Sequence, residues 1–461
     1  MADRPSVDRY DVVIAGGGMA GLCSAMSAVE AGARVLVAEK WPAPGGSMRR
    51  SGGTVWTAGS MDVMERFVPD GDRERQRRLV EGLQSGLEWL RGLGVDTGTE
   101  FSNPAQHGVE LDVAALTDRM ASRIEAGGGE IATSTALESL ERGPDGAIAA
   151  VRLRGGDGTA SHVRTDAVVL ATGGFQGNHE LLARYVSRYA DSMLRRANPW
   201  STGDGFLAAQ AIGARSSPSM WTFYGHTMPA PPADPPANRW TAVTQYASQD
   251  MILVNVRGER FMDESISLAD ERAPAEIVQQ PDGRAFVVLD NRIYSDQPVE
   301  GRSRSKVKPN FDNAVEAGGL NVVASSLDEL AAGMAAWGVS KRGLLATLTE
   351  FTEAVEAGRG AELRVTRAGS PFGLVEPPFR ALAVRAGITF TLGGTDVDPD
   401  QRVIDRAGRP IEGLWAAGAD AGGTYRGGYM GGLVLGLVQG RIAGTAAGRQ
   451  GAGRPAVGVA G

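Results

Sequence analysis

The first glycine cluster constrains this chain more than any other stretch. Residues 10–15 read YDVVIA, a short apolar run, and Gly16, Gly17, Gly18, Met19, Ala20 and Gly21 follow at once. An alanine-rich stretch comes next, then a second apolar run, 33–38, that ends in Glu39 and Lys40. The order is strand, tight turn, helix, strand, acid. In such a unit the first glycine permits the turn, the second lets backbone approach a pyrophosphate, and the third lets the helix pack on the strand. The helix N-terminus adds unpaired N–H groups and the positive end of a dipole. Glu39 lies 18 residues past Gly21, close to the roughly 20 expected of an acid that holds a ribose hydroxyl. A carboxylate there repels a 2′-phosphate, which favours FAD or NAD over NADP. Met19, Ala20 and Lys40 are counted with this cofactor site.

The chain has 461 residues, enough for two or three domains, and 42% are hydrophobic, enough for a sizeable core. Glycine is 64 of 461, about twice the usual share of about 7%, so many tight turns and close backbone approaches are expected. Net charge is −7 with no long run of one sign, which points away from nucleic acid and anionic membranes. The single cysteine, Cys23, reads as a buried structural thiol, and no cysteine pair is available for zinc or an iron–sulfur cluster. The polar first ten residues are not expected to act as a signal peptide or a twin-arginine leader. No run of 18 apolar residues spans a membrane. The expectation is a cytoplasmic protein whose electrons leave by a soluble acceptor.

Further along, WPAPGGSMRRSGGTVW forbids a long regular element. Its Gly45, Gly46, Ser47, Ser51, Gly52 and Gly53 form a second loop able to wrap a large ligand. Residues 72–93 and 111–124 read as amphipathic helices. Runs 130–135 and 147–153 read as a meander set between parallel strands. The buried strand 167–170 leads into Ala171, Thr172, Gly173 and Gly174, and NPWSTGDG opens a helix to about Ile212. Texture changes near Ser216: a proline-rich stretch, a hairpin-like pair at 251–263, and two helices in 327–357. Pro377-Pro378 marks the return. GLWAAG then ends a strand, and GGTYRGGYMGG feeds a long apolar helix through Ala447. The tail, 449–461, is expected to be disordered.

The motifs GGGMAG with Glu39, GGSMRRSGG, ATGGF, GDG, ILVNVRGERFMDE, TLGG and GLWAAGADAGG, in this order, resemble the FAD-dependent fumarate reductase and succinate dehydrogenase flavoproteins. That superfamily includes the 3-ketosteroid dehydrogenases, and the end of the chain is most similar to the tricarballylate dehydrogenase group. The resemblance covers nearly the whole chain. It implies an α/β fold: a discontinuous Rossmann-like FAD-binding domain, 1–215 and 379–448, with an α+β capping domain inserted at 216–378 and the flavin between them. Gly16, Gly18 and Gly21 would meet the pyrophosphate and Glu39 the adenosine ribose. Gly45, Gly46 and Ser47 would line the flavin side, and Ala136 and Leu137 would pass the adenine. Ala171, Thr172 and Gly173 would pack on the dinucleotide, with Asp204 nearby. Asp420 and the start of the last helix, Gly432, Leu433 and Val434, would approach the ribityl chain and the flavin pyrimidine. A helix N-terminus there stabilises negative charge on reduced flavin.

Departures from that pattern narrow the chemistry. The histidine pair that fumarate reductases carry before Thr-x-Gly-Gly is replaced by Thr389 and Phe390. The arginine before the last Gly-Gly is replaced by Tyr429, and the proton-donating arginine of the cap aligns with Asp270, with Arg272 close by. No histidine lies between Gly45 and Gly53, so non-covalent FAD is expected. The ketosteroid branch carries a tyrosine in this loop that holds the ketone oxygen; here Met430 follows Tyr429 where that branch has proline.

The chain has four histidines. His107 is expected on a surface loop, His162 on an exposed strand and His179 at a helix cap, while His226, in WTFYGH, weighs evenly between packing and function. Tyr224, Tyr246, Tyr425 and Tyr429 are expected in loops, where a hydroxyl can meet substrate; each singly is more often structural, and Tyr429 is the exception by alignment. Arg426 can hold a carboxylate in a bidentate pair. Arg380 and Arg385 are expected at the surface. The reading is an FAD-dependent oxidoreductase that desaturates a CH–CH bond next to a carbonyl, with hydride passing to flavin N5. Tyr429 polarises the carbonyl, and Arg426, Tyr224 and His226 complete the candidate catalytic set. A ketone, steroid-like among the options, is the first substrate class and a small polycarboxylate the second. A flavin-binding accessory or sensor protein without turnover is the alternative of another class.

Overall fold

The structure is a computed structural model that describes residues 9–103, 105–218, 220–246, 250–266, 269–295, 306–369 and 372–453. The chain forms two compact units: Met1–Leu181 with Ala197–Thr222 and Phe390–Gly461, and Leu182–Arg196 with Phe223–Thr389.

The first unit is built on a six-stranded sheet in the order Arg402–Ile404, Pro410–Ala416, Ala167–Leu170, Val12–Ala15, Val35–Ala38, Glu130–Ala132. Every pairing is parallel except that of the first two strands. The strands Val12–Ala15, Val35–Ala38 and Ala167–Leu170 are buried along their whole length, as strands covered on both faces must be. The helices Met19–Glu30 and Leu433–Gly453 pack against each other. Their closeness comes from glycine. A Cβ at Gly436, Gly440, Gly444 or Gly448 would stand 2.1–2.8 Å from an atom of the first helix or of Ala28 at its end. Spacing of four puts these glycines on one helix face. The helix Arg73–Gly92 rests Gly82 and Gly86 on Val438 and Leu437. Cys23, fully buried in this packing, has its thiol pushed up to about 12 by burial and is inert. The strands Thr135–Arg142, Ile148–Gly155 and Ala160–Arg164 form a separate antiparallel sheet.

The second unit is a mixed sheet centred on the long strand Phe379–Thr391, which Arg284–Leu289, Phe223–Pro229, Asn321–Ala324 and Leu194–Arg195 flank. Its core joins Ile252, Phe286, Val288, Ala381 and Ala383 to the helices Leu327–Ala335 and Lys341–Glu356.

The boundaries differ from the 216–378 insertion read from the sequence. Residues 182–196 belong to the second unit because Ser187 Oγ donates to Val278 O (2.8 Å) and Leu194–Arg195 pairs in parallel with Gly387 and Ile388. Residues 216–222 stay with the first unit, where Ser217 N–H donates to Gly394 O (2.9 Å). The return comes at Thr389 rather than Pro377-Pro378, because Phe379–Thr391 is one continuous strand. The last helix runs to Gly453, past the 449 at which a disordered tail was expected; 454–461 lie outside the described residues. No helix among the described residues is long and apolar enough to cross a membrane.

Candidate active site

The glycine turn behaves as its spacing requires. Gly16 has φ +105° and a Cβ there would lie 2.2 Å from Ala171 O; one at Gly21 would lie 1.8 Å from Gly16 O. Gly18 is different. It caps the first helix with φ −81°, ψ −168°, which any residue can adopt. A Cβ there meets nothing nearer than Gly45 O and Gly46 Cα, at 4.0 Å. Two glycines are thus required by packing and the third leaves room between the helix start and the second glycine loop. That cradle fits a pyrophosphate. Glu39 accepts from Gly17 N–H (2.6 Å) and Trp41 N–H (2.7 Å). Burial raises its carboxyl and the two backbone donors oppose the rise. Lys40 Nζ donates to Thr202 Oγ1 (2.7 Å) and pairs with Asp204 (2.9 Å) at the start of the helix Asp204–Ala211.

In the second loop, Gly46–Arg50 forms a short 3₁₀ turn, entered through Gly45 at φ +115°. Ser47 and Gly52 are exposed. Ser51 Oγ bonds within its own turn, to Met48 O (2.8 Å) and Gly53 N–H (3.2 Å). Gly53 has φ +76° and lies against Leu111 O. Ala136 and Leu137 sit in the strand Thr135–Arg142, with Leu137 in the core. Met19 and Ala20 face Gly436. Gly173 has φ +88°.

Asp420 is 1% exposed and enclosed by the chain itself. Its Oδ2 accepts from Thr172 N–H (2.5 Å) and Thr172 Oγ1 (2.9 Å), and Gly205 packs against it. Burial pushes this carboxyl up to about 7 although the Thr172 donors oppose it. In this geometry Asp420 acts through Thr172, whose Oγ1 also accepts from Gly205 N–H (3.0 Å).

Tyr429 lies on the loop that enters the last helix. Its ring packs edge-on to Trp56 (5.6 Å), Phe390 (5.9 Å) and Tyr425 (6.0 Å). The hydroxyl stands beside Gly432, 3.2 Å from where a Cβ of that glycine would be, and the Phe390 ring is as close. Leu433 then begins the helix and Val434 is buried. Tyr425 lies in this loop and is fully buried, a structural residue: its hydroxyl donates to Met430 O (2.8 Å) and Gly431 O (3.0 Å), clipping the loop shut. Arg426 has no carboxylate partner among the described residues, and its Nε is buried without an acceptor. It lies within electrostatic reach of Arg75.

In the second unit, Tyr224 and His226 lie in the strand Phe223–Pro229 rather than in a loop. His226 packs edge-on between Tyr224 (5.1 Å) and Tyr246 (5.6 Å). Burial, helped by Arg196, pushes its imidazole down to about 3, so it is neutral at physiological pH. His107 sits in the strand Gln106–Glu110, paired with Thr57, not in a loop. His162 is on the edge strand Ala160–Arg164 beside Glu141 (3.0 Å). His179 begins a helix, but Asn178 supplies the cap, its Oδ1 accepting from Leu181 N–H (3.1 Å). Arg380 and Arg385 are half-buried in the central strand, not surface residues; Arg380 stacks on Tyr294 at 3.6 Å.

Sequence reasoning passed over Trp56, Gln439 and Arg196. Gln439 Oε1 accepts from Gly418 N–H (3.0 Å) and its Nε2 donates to Thr424 Oγ1 (3.0 Å), fastening the last helix to the strand-end loop. A lone glutamine in LVLGLVQGRIAG was the signal. No cluster of three or more metal-ligating side chains occurs among the described residues.

Comparison with known proteins agrees with this architecture. The chain is 26% identical over 449 residues to the probable fumarate reductase Ifc3 of Shewanella frigidimarina, covering 92% of this chain and 72% of that protein. It is 28% identical over 528 residues to the 4-oxocyclohexanecarboxylate 2-dehydrogenase of Sinomonas cyclohexanicum, covering 89% and 87%. The fold is shared with 3-ketosteroid-Δ4-(5α)-dehydrogenase from Rhodococcus jostii RHA1, at TM-score 0.73 and 21% identity, over 97% of this chain and 98% of that one. The sequence profile of the FAD binding domain family matches residues 11–103 and 97–432, and the chain belongs to that family.

Proposed function

We propose that this FAD-dependent oxidoreductase removes hydrogen from a CH–CH unit next to a carbonyl, and that the Tyr429 hydroxyl donates to the carbonyl oxygen. One observation carries the reading: that hydroxyl stands beside Gly432, at the N-terminal end of the last helix, against the Trp56 and Phe390 rings. A donor and a positive dipole end are there together. Both favour negative charge on an oxygen, and an apolar wall strengthens them. Enolate character at the carbonyl acidifies the neighbouring C–H. The substrate loses one hydride and one proton and gains a C=C bond. FAD, when bound, supplies the two-electron acceptor, held without a covalent link, and an outside acceptor reoxidises it. A ketone is the first substrate class.

Arg426 favours a second reading, in which the substrate is an acid. A half-buried guanidinium with no carboxylate partner among the described residues is suited to a charge-assisted pair. The relative from S. cyclohexanicum is named for a substrate that joins ketone and carboxylate in one molecule.

Anaerobic flavin reduction, followed by absorbance with a panel of cyclic ketones, keto acids and small polycarboxylates, tests both. Tyr429→Phe should slow reduction by about 10²–10³, the usual cost of one such donor, with FAD content intact. Equal rates in wild type and Tyr429→Phe would remove the tyrosine from the reaction. Arg426→Ala should raise the dissociation constant for an acid about tenfold or more and change that of a ketone little.

A further inference from the structure

The second unit holds an arginine that the reading above leaves unused. Arg196 directly follows Leu194–Arg195, and the parallel pairing of that strand with Gly387 and Ile388 brings it beside Thr389. Its Nη1 donates to Thr389 Oγ1 (3.2 Å) and its Nη2 to Thr241 Oγ1 (3.5 Å). Nε is buried without an acceptor, and no carboxylate pairs with the side chain among the described residues. Two hydroxyls offset little of the cost of half-burying a guanidinium. Asp270 and Glu271 open the helix Ala269–Ile277, which packs on Phe223–Pro229. Burial and then Asp270 push the Glu271 carboxyl up to about 7, the reverse of what a paired cation would do. His226, within electrostatic reach of Arg196, is neutral and has a buried Nδ1 without a partner. Tyr246 also lies within that reach and packs on His226. The result is a half-buried guanidinium among neutral donors and flat rings, with the exposed Lys306 Nζ over the far ring, Tyr246, at 5.0 Å.

We infer that Arg196 binds a single carboxylate of a planar acid, beside His226 and Tyr246, and so makes the second unit selective for acids. The planar fork of the guanidinium can bond both oxygens of one carboxylate. The inference goes beyond the reading above and concerns binding by the second unit alone.

Equilibrium binding to the FAD-loaded full chain, by calorimetry, tests it with benzoate and cinnamate against their neutral esters and against sulfate. At least one acid should bind and its ester should not. Arg196→Gln should weaken the acid at least tenfold, and Arg196→Lys, which keeps the charge without the fork, by less. Both variants are judged only with wild-type FAD content and thermal midpoint. Should they fail that standard, the wild type decides: phenylglyoxal should modify Arg196, and the bound acid should block it. Tyr429→Phe should leave acid binding unchanged while slowing turnover, so failure of the carbonyl reading and failure of this site are seen separately. Binding of ester and acid alike, displacement of the acid by equal sulfate, undiminished binding in Arg196→Gln, or no protection from phenylglyoxal would overturn the proposal.

Discussion

At the scale of single residues, the three glycines of the first turn predict two different outcomes from one kind of change. Gly18→Val should fold, because its backbone is extended and the nearest atoms, Gly45 O and Gly46 Cα, stand 4.0 Å from the added Cβ. Its side chain would fill the cradle. The apoprotein should keep its thermal midpoint within about 2 °C, the scale of a surface change of about 0.5 kcal/mol, while FAD affinity falls at least tenfold by fluorescence titration. Gly16→Val and Gly21→Val should instead yield no folded protein, since Ala171 O and Gly16 O occupy their space. Asp420 makes a pH prediction. Its folded carboxyl is raised to about 7 by burial, above the ordinary value of about 3.9. Below about pH 4 it is neutral in both states. Between there and 7 only the unfolded chain ionises, so stability falls as pH rises, by on the order of 4 kcal/mol in all. Asp420→Asn should flatten that part of the apoprotein's melting profile and raise the midpoint at pH 8. Glu271, also near 7, acts in the same window, so the difference between variant and wild type is the quantity to read.

At the scale of elements, the last helix gives four of its glycines a packing role. Gly436, Gly440, Gly444 and Gly448 let it lie on the first helix at backbone distance. Gly440→Val would press on Ala20 O, 2.5 Å from the added Cβ, and on Cys23 Cβ at 3.0 Å. Overpacking of this kind costs about 1–3 kcal/mol or more, so the thermal midpoint should drop by several degrees. Gly453→Ala, with nothing within 4 Å, should change it little. The four-residue spacing was legible in the sequence, yet spacing alone does not name the surface that a stripe faces. Chain order did not reveal that Arg73–Gly92 packs on Val438 and Leu437. The helices Leu327–Ala335 and Lys341–Glu356 fall where their periodicity placed them, because each buries one apolar stripe.

At the scale of the whole molecule, acid or heat should release all the flavin as FAD, read by chromatography of the supernatant; flavin retained on the denatured chain would end the non-covalent proposal. Local rules decide what the sequence reveals. The first turn, the strand that ends in Glu39, and the return of strand and helix at GLWAAG were readable because each depends on backbone freedom and short-range spacing. They carry the family and its cofactor. The resemblance to the flavoprotein superfamily, read from the sequence, also singled out Tyr429. What the sequence did not determine depends on partners far along the chain. Residues 182–196 join the second unit through Val278 and Gly387, though their composition differs little from what precedes them. Tyr425 and Tyr429 are four residues apart in one loop. Only tertiary packing turns the first into a buried clip and sets the second beside Gly432. His226 looks like a titrating group until burial and Arg196 hold it neutral. A side chain's charge is set by what surrounds it, and a linear sequence does not list its surroundings.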